Sequence, residues 1–384
     1  MNPVALQASR VLTPTGFAPD YCVLVDDGAI AAVMPSSDCP AHLPKRRLAG
    51  DLLPGFIDLQ VNGGGGILFN DQPTVDGIAR IGQAHRRFGT TGFLPTLISD
   101  DLAVIARAIA AVDAAIAQGV PGVLGIHIEG PFLNPAKKGI HDASRFRILD
   151  TDAIQLLSSL QRGCTLVTLA PELAPPGAIR ALVDRGVVVA AGHTAGTYDD
   201  IQAALDEGLS GFTHLFNAMT QLGSREPGVV GAALDSRDSW CGLIADGHHV
   251  HAASLRIALA AKGAGRLALV TDAMPTVGWE GREFVLGGRR IRADGGRCAS
   301  PDGTLAGSDL NMAEAVRNAV RLMEVDYAGA VRMASAVPAW VLGMSDKRGA
   351  IAPGLRADLV LADARGMVLE TWIDGASQRV AQGR

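Results

Sequence analysis

The sequence predicts an α/β protein whose main unit is a (β/α)8 TIM-like barrel. Eight short apolar runs follow residue 53, helical segments separate most of them, and both ends of the chain are rich in predicted strands. Strands that alternate with helices in this number are typical of the barrel. A doubly wound sheet fits less well, because the glycines of residues 63–66 lack the GxGxxG spacing of a phosphate-binding turn.

The two ends of the chain are expected to form a small β-sandwich domain. Residues 1–50 show no helical period, and VLTP, YCVLVDDGAIAAVMP and RRLAGD are typical of short strands joined by Gly, Pro and Asp turns. The tail from residue 350 has the same character. We therefore predict that residues 1–52 and 350–384 form this domain and that residues 53–349 form the barrel.

Between the two ends, strands and helices are predicted in alternation. The clearest helix covers residues 101–119, where Leu102, Ile105 and Ile109 recur on one face. Residues 280–307 contain GG and DG turns, which are typical of hairpins. Further helices are predicted at 181–186, 198–208, 250–263, 310–323 and 327–341. The eight barrel strands are predicted at 54–61, 92–98, 122–128, 164–170, 186–191, 211–215, 240–245 and 267–273.

Composition excludes several classes of protein. The chain has 384 residues, of which 48% are hydrophobic, and its formal net charge is −5. A mildly negative chain argues against nucleic acid as a partner, because phosphate backbones select basic surfaces. No apolar run approaches the ~20 residues of a membrane span, and no signal peptide is evident. Five scattered cysteines without CxxC spacing indicate thiols in a reducing compartment, so we expect a cytoplasmic protein.

The segment from Val187 to Met219 carries the first functional signal. It is predicted as strand, helix and strand, and each strand is predicted to end on a histidine, His193 and His214. Because parallel strands place equivalent ends side by side, both imidazoles should lie at the carboxyl edge of the sheet. Imidazole is the commonest metal ligand. Either histidine alone is equally compatible with an ordinary hydrogen-bonded residue, but the pair favours a metal site.

Two carboxylates complete this site. Glu129 follows the apolar strand GIHI and Asp272 follows LALVT, and a buried carboxylate is costly unless it is paired or metal-bound. Two imidazoles and one carboxylate form a common catalytic zinc site with one position open for water. Asp272 remains to accept a proton from that water and to deliver one to a leaving group.

Two further histidines have alternative explanations. His127 precedes Glu129 by two residues and should lie on the same face of its strand, one layer deeper, as a hydrogen-bonded core histidine. His141 lies in the loop KKGIHD, from which it could fold over the site and polarise a substrate carbonyl. An ordinary surface histidine is the alternative for His141.

In these residues the chain resembles the amidohydrolase superfamily, and closely the N-acetylglucosamine-6-phosphate deacetylases. The matching stretches run in order from residue 54 to residue 361 and comprise PGFIDLQVNG, GIHIEGPF, KKGIHD, LAPE, GHT, THLFNAM, REPG, ADGHH, LVTDAM, LAGS and GLRADLVL. The resemblance implies that Glu129, His193 and His214 hold the metal, that Asp272 is the acid/base and that His141 polarises the acetamide carbonyl.

The resemblance also implies a sugar-phosphate pocket and a homodimer, in which a neighbouring subunit can help to close that pocket. The substrate-binding positions that it indicates are Asn217, Ala218, Arg225, His249, Leu305, Ala306 and Gly307, besides His141. A phosphate dianion needs a fixed cation and backbone N–H donors. A solvated surface arginine is the alternative for Arg225.

Two departures from the family pattern matter. The first barrel strand of many amidohydrolases ends in an HxH pair that holds a second metal, but Gln60 and Asn62 stand there in this chain. Both are poor zinc ligands, so we predict one divalent metal per subunit, with Zn²⁺ as the default and Fe²⁺, Co²⁺ or Mn²⁺ as alternatives. In ADGHHVH the phosphate-facing histidine is predicted to be His249, although His248 and His251 lie close by.

The predicted reaction is hydrolysis of the acetamide of N-acetyl-D-glucosamine 6-phosphate to D-glucosamine 6-phosphate and acetate. The alternative enzyme is a deacetylase of N-acetylgalactosamine 6-phosphate or of another N-acyl substrate. The alternative without catalysis is an inactive sugar-phosphate-binding relative, which the presence of all three metal ligands and the acid/base disfavours.

Overall fold

Eight parallel strands form the centre of the molecule, in a computed structural model that describes residues 3–380. The first two positions of the predicted segment 1–52 and the last four of 350–384 lie outside the described residues. The strands are hydrogen-bonded to their neighbours in chain order, so the predicted barrel is confirmed. They are, in order, Phe56–Val61, Thr90–Ile98, Gly125–Glu129, Cys164–Leu169, Val188–Ala191, Gly211–Phe212, Trp240–Leu243 and Leu267–Leu269.

The barrel closes where its first and eighth strands meet. Val61 forms a parallel bridge with Ala273 just beyond the eighth strand. The backbone N–H of Asp272 donates to the carbonyl of Gln60 at 3.0 Å, and that of Asn62 donates to the carbonyl of Ala273 at 2.9 Å. These bonds bring the residues after the eighth strand beside those that end the first. The apolar side chains of the strands are buried in one core, and the carboxyl rim of the barrel is the place for a site.

Helices surround the barrel and follow the predicted alternation. Within residues 3–380, no helix is both long and apolar enough to cross a lipid bilayer. The α-helices are Val75–Arg86, Leu102–Ala117, Thr151–Leu157, Ala178–Val183, Tyr198–Asp206, Gly228–Asp235, Ala252–Lys262, Met312–Asn318, Tyr327–Met333 and Ala336–Val341, with a π-helix at Ala319–Met323. Short 3-10 helices occur at Ser36–Asp38, Pro135–Lys137, Ala143–Arg145, Pro171–Leu173 and Ala264–Arg266.

The predicted helix 327–341 is interrupted in its middle. One helix ends at Met333 and the next begins at Ala336, because Ser335 leaves the helical region with φ −136° and ψ −71°. Pro338 explains the break, since a proline inside a helix lacks an N–H donor and its ring clashes with the carbonyl four residues earlier, here Ala334.

Strands from both ends of the chain pair in one seven-stranded sheet. The N-terminal strands are Val4–Thr13, Gly16–Asp26, Ala29–Pro35 and Lys45–Pro54, and the C-terminal strands are Leu359–Ala362, Val368–Ile373 and Ala376–Arg379. The two sets join where Leu359–Ala362 pairs antiparallel with Lys45–Pro54. The latter strand leads directly into the barrel, so the sheet is attached at the barrel's first strand.

The predicted hairpin region is a four-stranded antiparallel sheet that lies beside the barrel rim. Its strands are Glu283–Leu286, Arg289–Asp294, Arg297–Ala299 and Leu305–Ser308. The last strand reaches the eighth barrel strand, because the N–H of Ser308 donates to the carbonyl of Asp272 at 2.9 Å. A two-stranded ribbon of Gly63–Gly64 and Ile67–Leu68 follows the first barrel strand.

Candidate active site

The structure brings Glu129, His193 and His214 together at the carboxyl rim of the barrel. Oε1 of Glu129 lies 2.9 Å from Nε2 of His214 and 3.2 Å from Nε2 of His193. The two Nε2 atoms are 3.1 Å apart. All three side chains are buried, so these electron-rich atoms face one another at close range at the base of the rim.

This donor set fits a divalent metal. Donor atoms that share a tetrahedral zinc at about 2.0–2.2 Å are separated by about 3.3–3.6 Å, only slightly more than the distances between these three atoms. Nδ1 of His193 lies 2.8 Å from the backbone carbonyl of Lys137 and therefore carries the proton, which leaves the Nε2 lone pair directed at Glu129 and His214. Burial alone would raise the pKa of Glu129, but the neighbouring imidazoles of His193 and His214 hold it well below its usual value.

Three of the site residues sit in left-handed backbone turns after their strands. The φ angles are +50° for His193, +34° for His214 and +51° for Asp272. Residues other than glycine rarely adopt this region, which costs about 1–3 kcal/mol per residue. The turns direct three side chains from different strands into one space above the barrel, and strain of this kind is concentrated at functional sites.

Asp272 lies beside the Glu/His/His group and is held by two amides. Its Oδ1 accepts hydrogen bonds from Nδ2 of Asn62 at 2.6 Å and from Nε2 of Gln60 at 3.1 Å. The same Gln60 nitrogen lies 3.2 Å from Oε2 of Glu129. Burial, and next the Glu129 carboxylate, raise the pKa of Asp272 to about 6. This value suits a group that accepts and then releases a proton near neutral pH.

His141 reaches the site from the loop after the third barrel strand. Its ring centroid lies 4.4 Å from that of His193, and its side chain is buried. Oγ of Ser99 lies 2.8 Å from Nδ1 of His141, and the backbone N–H of Ser99 donates to the same nitrogen at 3.4 Å. Burial above all lowers the pKa of His141 to about 3. A neutral imidazole whose Nδ1 accepts must carry its proton on Nε2.

His127 is the deeper core histidine that its strand position predicts. Its Nε2 lies 2.8 Å from Oγ1 of Thr168, and its Nδ1 lies 3.4 Å from Oγ1 of Thr96. Both ring nitrogens therefore have hydroxyl partners below the site. Burial lowers the pKa of His127 to about 4, so the ring is neutral.

A carboxylate outside the ligand set supports the loops that carry His141 and His193. Oε1 of Glu172 accepts from Nδ2 of Asn134 at 2.9 Å and from the backbone N–H of Ala195 at 2.7 Å. The N–H of Asn134 in turn donates to the carbonyl of His193 at 2.9 Å. Glu172 thereby ties the loop after the third strand to the turn after the fifth.

A cavity of about 410 Å³ opens above these groups. Of the substrate positions indicated by the sequence, His141, Asn217, Ala218, His249, Leu305 and Gly307 line it. Such a volume accommodates a small ligand of sugar-phosphate size. Gly307 has a φ of +59°, and a side chain there would lie 2.7 Å from the carbonyl oxygen of Asp272, so only glycine fits.

The three clustered histidines have different surroundings. His249 lines the cavity, and its Nδ1 lies 2.6 Å from Oδ2 of Asp246. Nε2 of His248 instead lies 3.0 Å from the carbonyl of Gly295 at the protein surface. His251 caps the helix Ala252–Lys262. Burial alone would raise the pKa of Asp246, but the bonds from His249 outweigh burial and lower it.

Two predicted substrate positions do not line this cavity. Arg225 is exposed in the loop before the helix Gly228–Asp235. Ala306 is fully buried and packs with Met274 and Leu286 in an apolar cluster. Neighbouring residues of one strand point to opposite faces, so Leu305 and Gly307 can face the cavity while Ala306 faces the small core.

Sequence reasoning assigned no role to Ser99 and Lys137. Ser99 directly follows the second barrel strand, so its place at a strand end was the available signal. Lys137 lies in the motif KKGIHD and lines the cavity. Gln60 and Asn62 were considered only as missing metal ligands, and their amides instead contact Asp272.

The fold and the site define a (β/α)8-barrel protein with a buried Glu/His/His group that could bind one divalent metal at its carboxyl rim. The model of the amidohydrolase family matches residues 52–379. The chain belongs to this metal-dependent family.

Individual relatives agree with this assignment. The chain is 42% identical over 370 residues to an N-acetylgalactosamine-6-phosphate deacetylase of Shewanella sp. (strain ANA-3), covering 96% of this chain and 94% of the relative. It is 34% identical to the N-acetylglucosamine-6-phosphate deacetylase of Haemophilus influenzae, covering 93% and 94%. The crystal structure of N-acetylglucosamine-6-phosphate deacetylase from Pasteurella multocida superposes with a TM-score of 0.94 at 34% identity, covering 98% of this chain and 100% of that chain.

Proposed function

We propose that this enzyme hydrolyses the acetamide of N-acetyl-D-glucosamine 6-phosphate to D-glucosamine 6-phosphate and acetate. The observation that carries the proposal is the position of Asp272, which Gln60 links to Glu129 at the edge of the Glu/His/His group. A proton-transfer group, a metal site and a cavity of sugar size therefore meet at one rim. The relatives described above carry the names of enzymes with this chemistry.

Glu129, His193 and His214 would hold the metal. A divalent metal bound there lowers the pKa of a water molecule and polarises a carbonyl. Asp272 accepts the proton of the attacking water and then protonates the amine as the C–N bond breaks. Nε2–H of His141 donates to the acetamide oxygen, where negative charge develops. Asn62 and Gln60 orient the Asp272 carboxylate towards the reacting atoms.

The phosphate would bind near Asn217, Ala218 and His249, which line the cavity. Arg225 is exposed and does not line the cavity of its own chain, and we infer that it reaches the cavity of a second subunit in a homodimer. An arginine supplied in this way fits the planar, multidentate recognition of phosphate oxygens. This arrangement requires the dimer for tight substrate binding.

Zinc is the proposed metal, since two imidazoles and one carboxylate form a common zinc site, and Fe²⁺, Co²⁺ and Mn²⁺ are the alternatives. The five cysteines are free thiols, which supports a reducing cytoplasm as the compartment. Metal analysis of the purified protein identifies the ion.

The second candidate substrate is N-acetyl-D-galactosamine 6-phosphate, because the relative with 42% identity is named for that epimer. The decisive experiment measures acetate and free amine released from both sugar phosphates and from unphosphorylated N-acetylglucosamine. The proposal expects the glucosamine epimer to have the highest kcat/KM. A higher kcat/KM for the galactosamine epimer selects the second candidate, and no acetate from either sugar phosphate contradicts both.

A further inference from the structure

The phosphate group of a sugar-phosphate substrate would be stabilised by a positively charged side chain from the same chain as the cavity. His249 lines the cavity, but its Nδ1 is already paired with Oδ2 of Asp246, and Arg225 lies outside the cavity. Among the described residues that line the cavity, Lys137 is the single lysine, and no arginine is present. Its position therefore bears directly on how a sugar phosphate would bind, an inference that rests on the function proposed above.

The backbone of Lys137 is held by the site itself. It ends the 3-10 helix Pro135–Lys137, which Asn134 caps by accepting a hydrogen bond from the N–H of Ala136 at 2.9 Å. The carbonyl of Lys137 accepts from Nδ1 of His193 at 2.8 Å. The stem of the lysine is thus fixed relative to a metal ligand, unlike that of a surface lysine on a free loop.

The ammonium group of Lys137 points to the segment expected to bind phosphate. Its Nζ donates to the carbonyl of Met219 at 3.2 Å, directly after Asn217 and Ala218. An ammonium has three donors, so two remain after this bond. No carboxylate forms an ion pair with Lys137 in residues 3–380, and the charge is available for an anion.

From this geometry we infer that Lys137 binds the phosphate group of the substrate from within the same subunit. It complements Arg225, which would come from the second subunit, and it places a fixed positive charge beside the backbone of Asn217 and Ala218. Charge-assisted hydrogen bonds to phosphate are about twice as strong as neutral ones, and Lys acts as a compact point charge.

The test compares Lys137→Gln with the matched control Lys138→Gln. Lys138 carries the same charge one residue later, does not line the cavity and acts on Asp142. Lys137→Gln should raise KM for the sugar phosphate about 10- to 100-fold with little change in kcat. It should leave kcat/KM for unphosphorylated N-acetylglucosamine and the bound metal unchanged. Lys138→Gln should behave like the wild type.

Two further measurements separate this inference from the proposed function. Lys137→Arg keeps the charge and should restore most of the low KM, which excludes a purely structural effect. Calorimetric binding of inorganic phosphate to the wild type and to Lys137→Gln tests the contact without catalysis. An unchanged KM and phosphate affinity, or an equal loss for both sugars, would overturn the role of Lys137. A wild type that binds phosphate through Lys137 but releases no acetate would instead refute the proposed function.

Discussion

Oγ of Ser99 lies 2.8 Å from Nδ1 of His141, and both side chains are buried at the rim of the barrel. The backbone N–H of Ser99 donates to the same nitrogen. Since burial keeps this imidazole neutral, its single proton must reside on Nε2, which is the nitrogen free to face a substrate carbonyl. Ser99 therefore positions His141 as a hydrogen-bond donor.

Replacing Ser99 with alanine should impair the chemical step more than substrate binding. Without the hydroxyl, only the weaker backbone contact holds the tautomer, and we expect kcat to fall about 10- to 100-fold while KM changes little. Ser99→Thr retains the hydroxyl and should recover much of the activity. Steady-state kinetics of both variants provide the check, and an Ser99→Ala enzyme with wild-type kcat would remove this role.

Asp272→Asn should retain the metal and lose nearly all turnover. The amide cannot accept the water's proton, and general acid–base groups contribute about 10²- to 10⁴-fold. Elemental analysis verifies that the metal stays bound, since the three predicted ligands are unchanged. Appreciable acetate release by the metal-loaded variant would assign the proton transfer to another group.

Asn62→Ala should shift the acidic limb of the pH–rate profile to higher pH. The hydrogen bond from Asn62 stabilises the ionised Asp272 and lowers its pKa, whereas burial raises it to about 6. Removing the Asn62 donor should raise the pKa of Asp272 by about one further unit. The active carboxylate form is then lost at a correspondingly higher pH. The profile of kcat/KM between pH 5 and 8 measures this, and a limb that stays in place or moves to lower pH would contradict it.

Arg225→Ala should raise KM for the sugar phosphate and be rescued by subunit mixing. If Arg225 acts on the partner's cavity, a hybrid of Arg225→Ala and Asp272→Asn subunits contains one intact site, formed by Asp272 of one chain and Arg225 of the other. Each parent is impaired, so recovery of activity on mixing after dissociation identifies the contribution of the second subunit. Mixtures that stay as inactive as the parents would place Arg225 in its own cavity or outside the site.

His85 should make folding stability depend on pH below neutrality. Its Nε2 donates to the carbonyl of Gly63 at 2.9 Å, and burial lowers its pKa to about 4 from 6.5. The unfolded chain therefore takes up a proton at this residue near pH 6.5, while the folded protein does so only near pH 4. The contribution of neutral His85 to the free energy of unfolding is fully present above that pH window. It is lost as the pH falls through the window, at about 1.4 kcal/mol per pH unit for one proton.

Denaturant titrations at several pH values test this contribution. His85→Gln keeps a donor for the carbonyl of Gly63 but cannot be protonated. The slope of the unfolding free energy against pH, measured between pH 6 and pH 4.5, should therefore be smaller than in the wild type by the equivalent of about one bound proton, or about 1.4 kcal/mol per pH unit. His42→Gln is the exposed control and should leave the slope unchanged. A slope that is equal in wild type and His85→Gln would contradict the buried, neutral state of His85.

The barrel and the convergence of its ligands could be predicted from the sequence because their signals are local. Apolar runs at regular spacing define the strands, and parallel strands bring Glu129, His193 and His214 to one rim whatever the details of packing. The interruption at Ser335 was missed, since the apolar period continues through it and only Pro338 indicates a break.

Contacts between loops could not be predicted in the same way. Ser99 and Lys137 acquire their surroundings from the loop after the third strand, whose path depends on the Glu172 contacts and on the carbonyl bonded by His193. The exposure of Arg225 likewise follows from a loop conformation that has no periodic signal. Strand order therefore predicted that Glu129, His193 and His214 converge, whereas the other walls of the cavity required the folded structure.

Acetate release from N-acetylglucosamine 6-phosphate, measured for the zinc-loaded protein and for the same protein after chelation, tests the central claim most directly. We expect one acetate and one free amine per substrate, loss of turnover when the metal is removed and recovery when zinc is added back. A zinc-loaded protein that releases no acetate, or a chelated protein that keeps full turnover, would contradict metal-dependent deacetylation at the Glu129, His193 and His214 site.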